Sequence, residues 1–180
     1  MGMKHSILVT GALLGALLIG SRYYMYSPLY TKVTRATALI YPTKGNSGAG
    51  VIKFAEEKEG LHITAHLTGL TPGEHGFHIH EFGMCNCDDA VCAGDHYNPT
   101  NSKHGGPDDN DRHAGDFGNI VADEQGIGRY DRVDKQATLN GPHSIIGRTV
   151  IIHAGADDFT TQPSGNAGAR IACGIVGIAK

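Results

Sequence analysis

The sequence predicts an all-β domain on three observations: strict apolar/polar alternation over residues 61–68, recurring turn signals, and 26 glycines in 180 residues without a Gly-X-Y period. Leu61, Ile63, Ala65 and Leu67 alternate with His62, Thr64, His66 and Thr68, which is the period of a strand with one face buried. Residues 50–56 and Thr149–His153 read as two further strands. Thr43-Lys44-Gly45-Asn46, Glu59-Gly60, Thr71-Pro72-Gly73 and Asp123-Glu124-Gln125-Gly126 supply the turns between such elements. Short strands at this spacing form a sandwich or barrel, and glycine at this level suits tight turns rather than long helices.

The strand pattern begins near Val33, so the chain divides into residues 1–32 and 33–180. The 13 residues from Ile7 to Ile19 are uncharged and mostly apolar. That is short for a bilayer span and suits the core of a signal peptide. Extended through Tyr23, Tyr24 and Tyr26, with Arg22 beside them, the same segment makes an uncleaved anchor with interfacial aromatics. Residues 1–32 are therefore expected to be a signal peptide or membrane anchor plus linker. Any membrane attachment would run through residues 7–26, and the domain would be secreted, luminal or membrane-anchored.

Net charge is −3, which gives no footing for nucleic acid and repels small anions at long range. Attraction of an anionic ligand must then come from local positive groups. The 4 cysteines are too few for a disulfide scaffold. Cys85, Cys87 and Cys92 cluster while Cys173 stands alone, and one bridge from the cluster to Cys173 is the simplest pairing. It would staple a long loop to the last strand, as suits an oxidising compartment.

The 11 histidines are more than a small domain normally carries, and imidazole is a ligand for zinc and copper. His78-Ile79-His80 lies on an expected strand, where positions i and i+2 share a face, so both rings can reach one ion. Alone, such a pair is more often two surface side chains. Two stretches break the strand rhythm, residues 83–116 and 154–169, and loops of this length in a compact domain are functional or disordered. The first carries His96, His104, His113 and Asp116. Three imidazoles and a carboxylate compose a closed tetrahedral zinc site, and metal would order a segment unable to pack alone.

Three longer motifs make the pattern specific. They are Gly76-Phe77-His78-Ile79-His80-Glu81-Phe82-Gly83, Ile146-Gly147-Arg148-Thr149-Val150-Ile151-Ile152-His153 within residues 141–158, and Gly165-Asn166-Ala167-Gly168-Ala169-Arg170-Ile171-Ala172-Cys173-Gly174. Between them lie Asp95-His96-Tyr97-Asn98-Pro99, Lys103-His104-Gly105-Gly106-Pro107 and Arg112-His113-Ala114-Gly115-Asp116. In this order, from about residue 36 to 180, the chain resembles the copper/zinc superoxide dismutases.

The resemblance implies an eight-stranded Greek-key β-barrel or sandwich with two long functional loops, and an oxidoreductase that converts superoxide to dioxygen and hydrogen peroxide. It implies copper on His78, His80, His96 and His153, and zinc on His96, His104, His113 and Asp116. His96 would bridge the two ions as an imidazolate, leave reduced copper and carry a proton. Arg170 would be the cation that docks superoxide, and Asp157 would link His78 to His104. His75 is expected to brace the loop by hydrogen bonding, while His5, His62, His66 and His143 take no part in the site. A homodimer is implied through Phe82, Gly83, Ile146, Gly147 and Ile178.

Two features depart from the family pattern. The segment between His153 and Arg170 is shorter than the usual electrostatic loop and lacks its Glu/Lys cluster, which implies weaker steering. Three cysteines stand where the family has one. Cys173 matches the C-terminal partner, and Cys87 or Cys92 is expected to pair with it ahead of Cys85, leaving a spare pair for a second bridge or thiols. The alternative function is a non-catalytic copper/zinc decoy or a copper-chaperone-like protein on the same fold. Against it, every metal position and Arg170 is present, and the chain has no Cys-x-x-Cys.

Overall fold

The computed structural model describes residues 32–180, and the apolar segment 7–26 lies outside them. Among the described residues no helix is long and apolar enough to cross a membrane. The strands are β1 (Arg35–Pro42), β2 (Ala49–Glu56), β3 (Leu61–Thr68), β4 (Gly73–His80), β5 (Asp116–Ala122), β6 (Gly128–Asp134), β7 (Thr149–His153), β8 (Arg170–Ile175) and the two-residue β9 (Gly177–Ile178). A 3-10 turn, η1, occupies Val91–Ala93. The alternation over residues 61–68 becomes β3, with Leu61, Ile63, Ala65 and Leu67 buried.

The strands pair in the order β2-β3-β6-β5-β4-β7-β8-β1, and β1 pairs back onto β2 to close a barrel, with β9 a short addition beside β1. Every pairing between these strands is antiparallel. β3 lies beside β6, and β4 beside β7, so two connections pass over neighbouring strands, the Greek-key pattern. The eight-stranded expectation therefore holds, with β9 as a small extra rung.

Ile52, Phe54, Leu61, Ile63, Leu67, Phe77, Ile79, Phe117 and Ile120 fill the interior. Each such side chain contributes roughly 1.5–3 kcal/mol when removed from water. Phe77 meets Phe117 and Tyr130 edge-on, with ring centroids 5.2 and 5.0 Å away, the arrangement aromatic quadrupoles favour. In the β5–β6 turn Asp123 Oδ1 accepts from the Gln125 and Ile127 amides at 3.0 and 2.8 Å. Gly126 there takes φ +74, with the Leu70 carbonyl 2.5 Å from where a Cβ would stand.

β4 is buried continuously from His75 to His80, and all of β7 is buried. Phe77 and Ile79 join the barrel interior. His78 and His80 alternate with them on the other face, and the two long connections, residues 81–115 and 154–169, cover that face. The first connection ends one residue earlier than expected: Asp116 opens β5 and pairs with His78.

Two register shifts sit next to these histidines. Between Gly76 and His78 the β5 strand holds one extra residue, and between Ile152 and His153 the β8 strand holds one. Such bulges bend a strand and re-aim its side chains. Here they fall where His78 meets Asp116 and where His153 meets Arg170.

Candidate metal centre

Two buried clusters of ligand-type atoms share one residue. His78, His80, His96 and His153 form the first, and His96, His104, His113 and Asp116 the second, with the donor atoms of each within 4.8 Å of one another. β4 supplies His78 and His80, the end of β7 supplies His153, and the start of β5 supplies Asp116. The long loop brings His96, His104 and His113. An isolated bridge between His80 and His96 anchors that loop to β4, helped by Tyr97 N→Ile79 O (2.8 Å) and Ile79 N→Gly115 O (2.9 Å).

In the first cluster each ring is held by one nitrogen and leaves the other free. His78 Nε2 donates to Asp157 Oδ2 at 2.8 Å, His80 Nδ1 to Gly94 O at 2.9 Å, and His153 Nδ1 to Gly168 O at 3.0 Å. His96 Nδ1 lies 2.8 Å from Asp116 Oδ1. The buried imidazole nitrogens left without a hydrogen-bond partner are His78 Nδ1, His80 Nε2, His96 Nε2, His153 Nε2 and His104 Nδ1. Buried polar atoms are rarely orphaned, and five in one place fit metal ligation. Fixing one ring nitrogen by an outer partner also sets the tautomer, turning the other lone pair toward an ion.

The electrostatics favour neutral rings in the first cluster. Burial first, and then the charge of neighbouring His96, lowers His78 to about 3. Burial likewise lowers His153 to about 4 and drives His80 and His96 down. A neutral imidazole is the ligating form. The second cluster is more polar. Burial pushes Asp116 up, yet the rings of His104, His113 and His96, close around it, outweigh that and hold the carboxyl well below the usual carboxylate range. Burial opposes the charged form of His104 too, but Asp116 and Asp157 raise it to about 9.

Asp157 lies between the clusters. Its Oδ1 accepts from His104 Nε2 and its Oδ2 from His78 Nε2, both at 2.8 Å. Asn119 clasps its backbone, with Nδ2→Asp157 O at 2.9 Å and Asp157 N→Oδ1 at 2.7 Å. Gly165 packs so tightly there that an added Cβ would stand 1.8 Å from Asp157 Oδ1.

An open cleft reaches the first cluster. His80, His96, His153 and Arg170 line it together with His143 and Arg148. Arg170 opens β8 and directs its guanidinium to the carbonyls of Ala90 (2.8 Å) and Gly94 (2.7 Å).

The family model of the copper/zinc superoxide dismutases matches residues 48–176. The chain belongs to the copper/zinc superoxide dismutase family. As a member it is an oxidoreductase acting on superoxide, with copper and zinc as cofactors. It is similar to the extracellular copper-zinc superoxide dismutase of Brugia pahangi, with 43% identity over 157 residues, 82% of this chain and 78% of the relative. Its fold is similar to the crystal structure of the clock protein EA4, at TM-score 0.77 and 43% identity, over 83% of this chain and 98% of that one.

The cysteine expectation needs correction. Cys85, and neither Cys87 nor Cys92, bridges to Cys173, and Cys87 pairs with Cys92. The reason is where the loop starts. Met84 N binds Thr149 Oγ1, which in turn donates to Phe82 O. The chain therefore runs along β7 and delivers the next residue beside β8. Cys87 and Cys92 lie further on, on either side of the turn leading into η1, with Cα atoms 6.2 Å apart.

Other supports had weak sequence signals. Arg112 is buried, donating to His113 O (3.0 Å) and Asp116 O (3.1 Å) and pairing with Asp134. It ties the second cluster to β6, and its adjacency to His113 was its only trace. Gln162 clasps the His104 backbone, accepting from its amide and donating to its carbonyl, both at 2.8 Å. Arg148 covers the Tyr97 ring, 3.4 Å from the centroid. His75 bonds His153 O (2.7 Å) and Thr71 O (2.8 Å), so it braces the end of β7 and a turn rather than the long loop. His62 and His66 lie on the barrel surface, His5 lies outside the described residues, and His143, expected to stand apart from the site, lines the cleft.

Proposed function

We propose that the first cluster holds copper through His78, His80, His96 and His153, and that the second holds zinc through His96, His104, His113 and Asp116. The chain then disproportionates two superoxide ions and two protons into dioxygen and hydrogen peroxide. The observation that carries this reading is the set of five buried, unpartnered imidazole nitrogens. Bound copper supplies one-electron exchange between its +2 and +1 states, and bound zinc a fixed positive charge.

The protein's part is positional. His96 offers Nε2 to the first cluster and Nδ1 to the second, so Nε2 is the atom at which a proton can be held and released. Asp157 sets the orientation of His78 and His104 together. Arg170, a permanent cation in the cleft, draws in and orients a small anion. Residues 154–169 contain no lysine, so long-range attraction is weaker than a cationic loop would give.

Residues 1–32 act as a signal peptide or membrane anchor that sends the domain outside the cytosol, in keeping with an extracellular relative and two disulfides. N-terminal sequencing of protein from medium and from membranes tests this, and an intact cytosolic chain would refute it. Exposed Phe82 (49%) and Ile178 (66%), with Gly83, Ile146 and Gly147, form a homodimer face. Phe82→Glu should halve the mass measured by light scattering, and a monomeric parent would overturn the dimer.

The deciding experiment is metal analysis of the purified protein paired with a superoxide-decay assay. Expected are one copper and one zinc per chain and fast decay, abolished by His78→Ala or His153→Ala. Unchanged turnover in both variants would remove the site.

A further inference from the structure

The carbonyls that hold Arg170 flank one short turn. Arg170 donates through Nη1 to Ala90 O and through Nη2 to Gly94 O, at 2.8 and 2.7 Å. The same Gly94 carbonyl accepts from His80 Nδ1 at 2.9 Å. One piece of chain thus orients both the cleft's cation and a ring of the first cluster.

The Cys85–Cys173 bridge ends five residues before Ala90 and reaches the turn through packing: Ala90 and Ala93 are buried against Cys173 and Ile151, and Ala93 O accepts from Phe82 N at 2.8 Å. Ala90 takes φ 57, a left-handed conformation that an L side chain enters only when its surroundings demand it. Burial of the Ala90 methyl against Ile151 and Cys173 supplies part of that demand, and the local bridge closes the turn within the chain itself. Cys87–Cys92 encloses Ala90 within a span of five residues. Inside that span Ala90 N donates to Cys87 O (3.1 Å), and Cys92 N lies 3.1 Å from Cys87 Sγ. Immediately beyond it Ala93 N donates to Ala90 O and Gly94 N to Val91 O, both at 3.1 Å. From the chain just past β1, Lys44 also grips Asp88 within the clip, by a backbone bond to Asp88 O (3.0 Å) and an exposed ammonium–carboxylate pair (2.5 Å) of which the second constrains little.

Resting on the reading of Arg170 given above, we infer that Cys87 and Cys92 are positioning residues for Arg170: their bridge holds the Ala90 and Gly94 carbonyls at the guanidinium and thereby sets how tightly the cleft takes a small anion. A planar guanidinium bound at two fixed carbonyls keeps its remaining N–H groups aimed in one direction. With the turn released, the same cation samples several directions and meets an anion less often in the right one.

The test compares the copper- and zinc-loaded parent with Cys87→Ser/Cys92→Ser, each with and without Arg170→Ala, with Cys85 and Cys173 left intact. The probe is azide, followed by its effect on the copper absorption band. Release of the clip should weaken azide binding roughly three- to ten-fold, the scale of one misplaced charge-assisted bond, and the loss should vanish in the Arg170→Ala background. Amide hydrogen exchange at Ala93 and Gly94 in zinc-loaded, copper-free protein should quicken in the clip variant, a readout independent of copper.

Should the double variant misfold, a phosphine reductant applied to the parent opens the same bridge, giving two electrons as two protons enter. Peptide mapping then selects protein reduced only at Cys87 and Cys92. Unchanged azide affinity, an equal loss in both Arg170 backgrounds, or unchanged exchange at Gly94 overturns the inference. If Arg170→Ala alone leaves azide binding intact, the role given to Arg170 fails first and the clip's role with it.

Discussion

His78 and His104 are tied together by a single carboxylate: Asp157 accepts Nε2 of each ring at 2.8 Å from a fully buried position. A strand of the barrel and a point in the middle of a long loop thus share one anchor.

That anchor predicts a coupled loss. Asp157→Ala should weaken zinc binding about ten- to a hundred-fold, as removal of ligand-orienting groups does. Gly165→Ala should approach the same loss, because its Cβ would fall 1.8 Å from Asp157 Oδ1 at φ +66. Zinc titration against a competing chelator measures both, and parent-like affinity in both would show the bridge to be idle.

Arg170→Ala should slow superoxide decay most at low ionic strength, where local attraction is least screened. Arg170→Lys should recover little, since an ammonium cannot span the Ala90 and Gly94 carbonyls as the planar fork does. Rate against salt concentration separates these, and parallel salt curves for parent and Arg170→Ala would argue against local attraction.

The two bridges should differ in what they contribute to stability. Cys85–Cys173 closes a separation of 88 residues and Cys87–Cys92 one of 5. Loop-closure entropy assigns about 4–5 kcal/mol to the first and about 2 kcal/mol to the second. Denaturant melts of the two paired Cys→Ser variants measure the difference, and equal midpoints would contradict it.

A pH effect is expected away from the metal clusters. His62 is raised above 6.5, chiefly by its hydrogen bond to Asp131 with Glu57 adding to it, against the pull of desolvation. A raised folded value means that the stabilisation is complete below the unfolded value and fades as pH climbs through the folded one. His62→Gln should therefore melt below the parent near pH 5.5 and converge with it near pH 8.5. A gap independent of pH would assign His62 no charge role.

The alternation in β3 and the glycine-marked turns made the barrel legible, because a two-residue period has one physical meaning when one face is buried. The grouping of donors was legible in part. His78 and His80 share a face by strand period, but the loop histidines met them only through the family resemblance. Three things were hidden. The bulges beside Asp116 and Arg170 add one residue to a strand without any compositional mark. Arg112 carries the charge of a solvent-facing residue and is nonetheless buried. The cysteine that reaches Cys173 was decided by Met84 docking on Thr149, a contact between residues 65 positions apart in sequence.

Barrel closure has a thin seam between β1 and β8. β1 meets β8 in register at just Tyr41 with Cys173 and Pro42 with Ala172, and β9 adds Ala36 with Ile178 and Thr37 with Gly177. If that seam parted, two strands would show bare ladders to any other copy, the template from which fibrils grow. The covalent link at Cys173 fastens the β8 side of this line to the long loop and leaves β1 without a covalent tie, so β1 is the strand free to peel away.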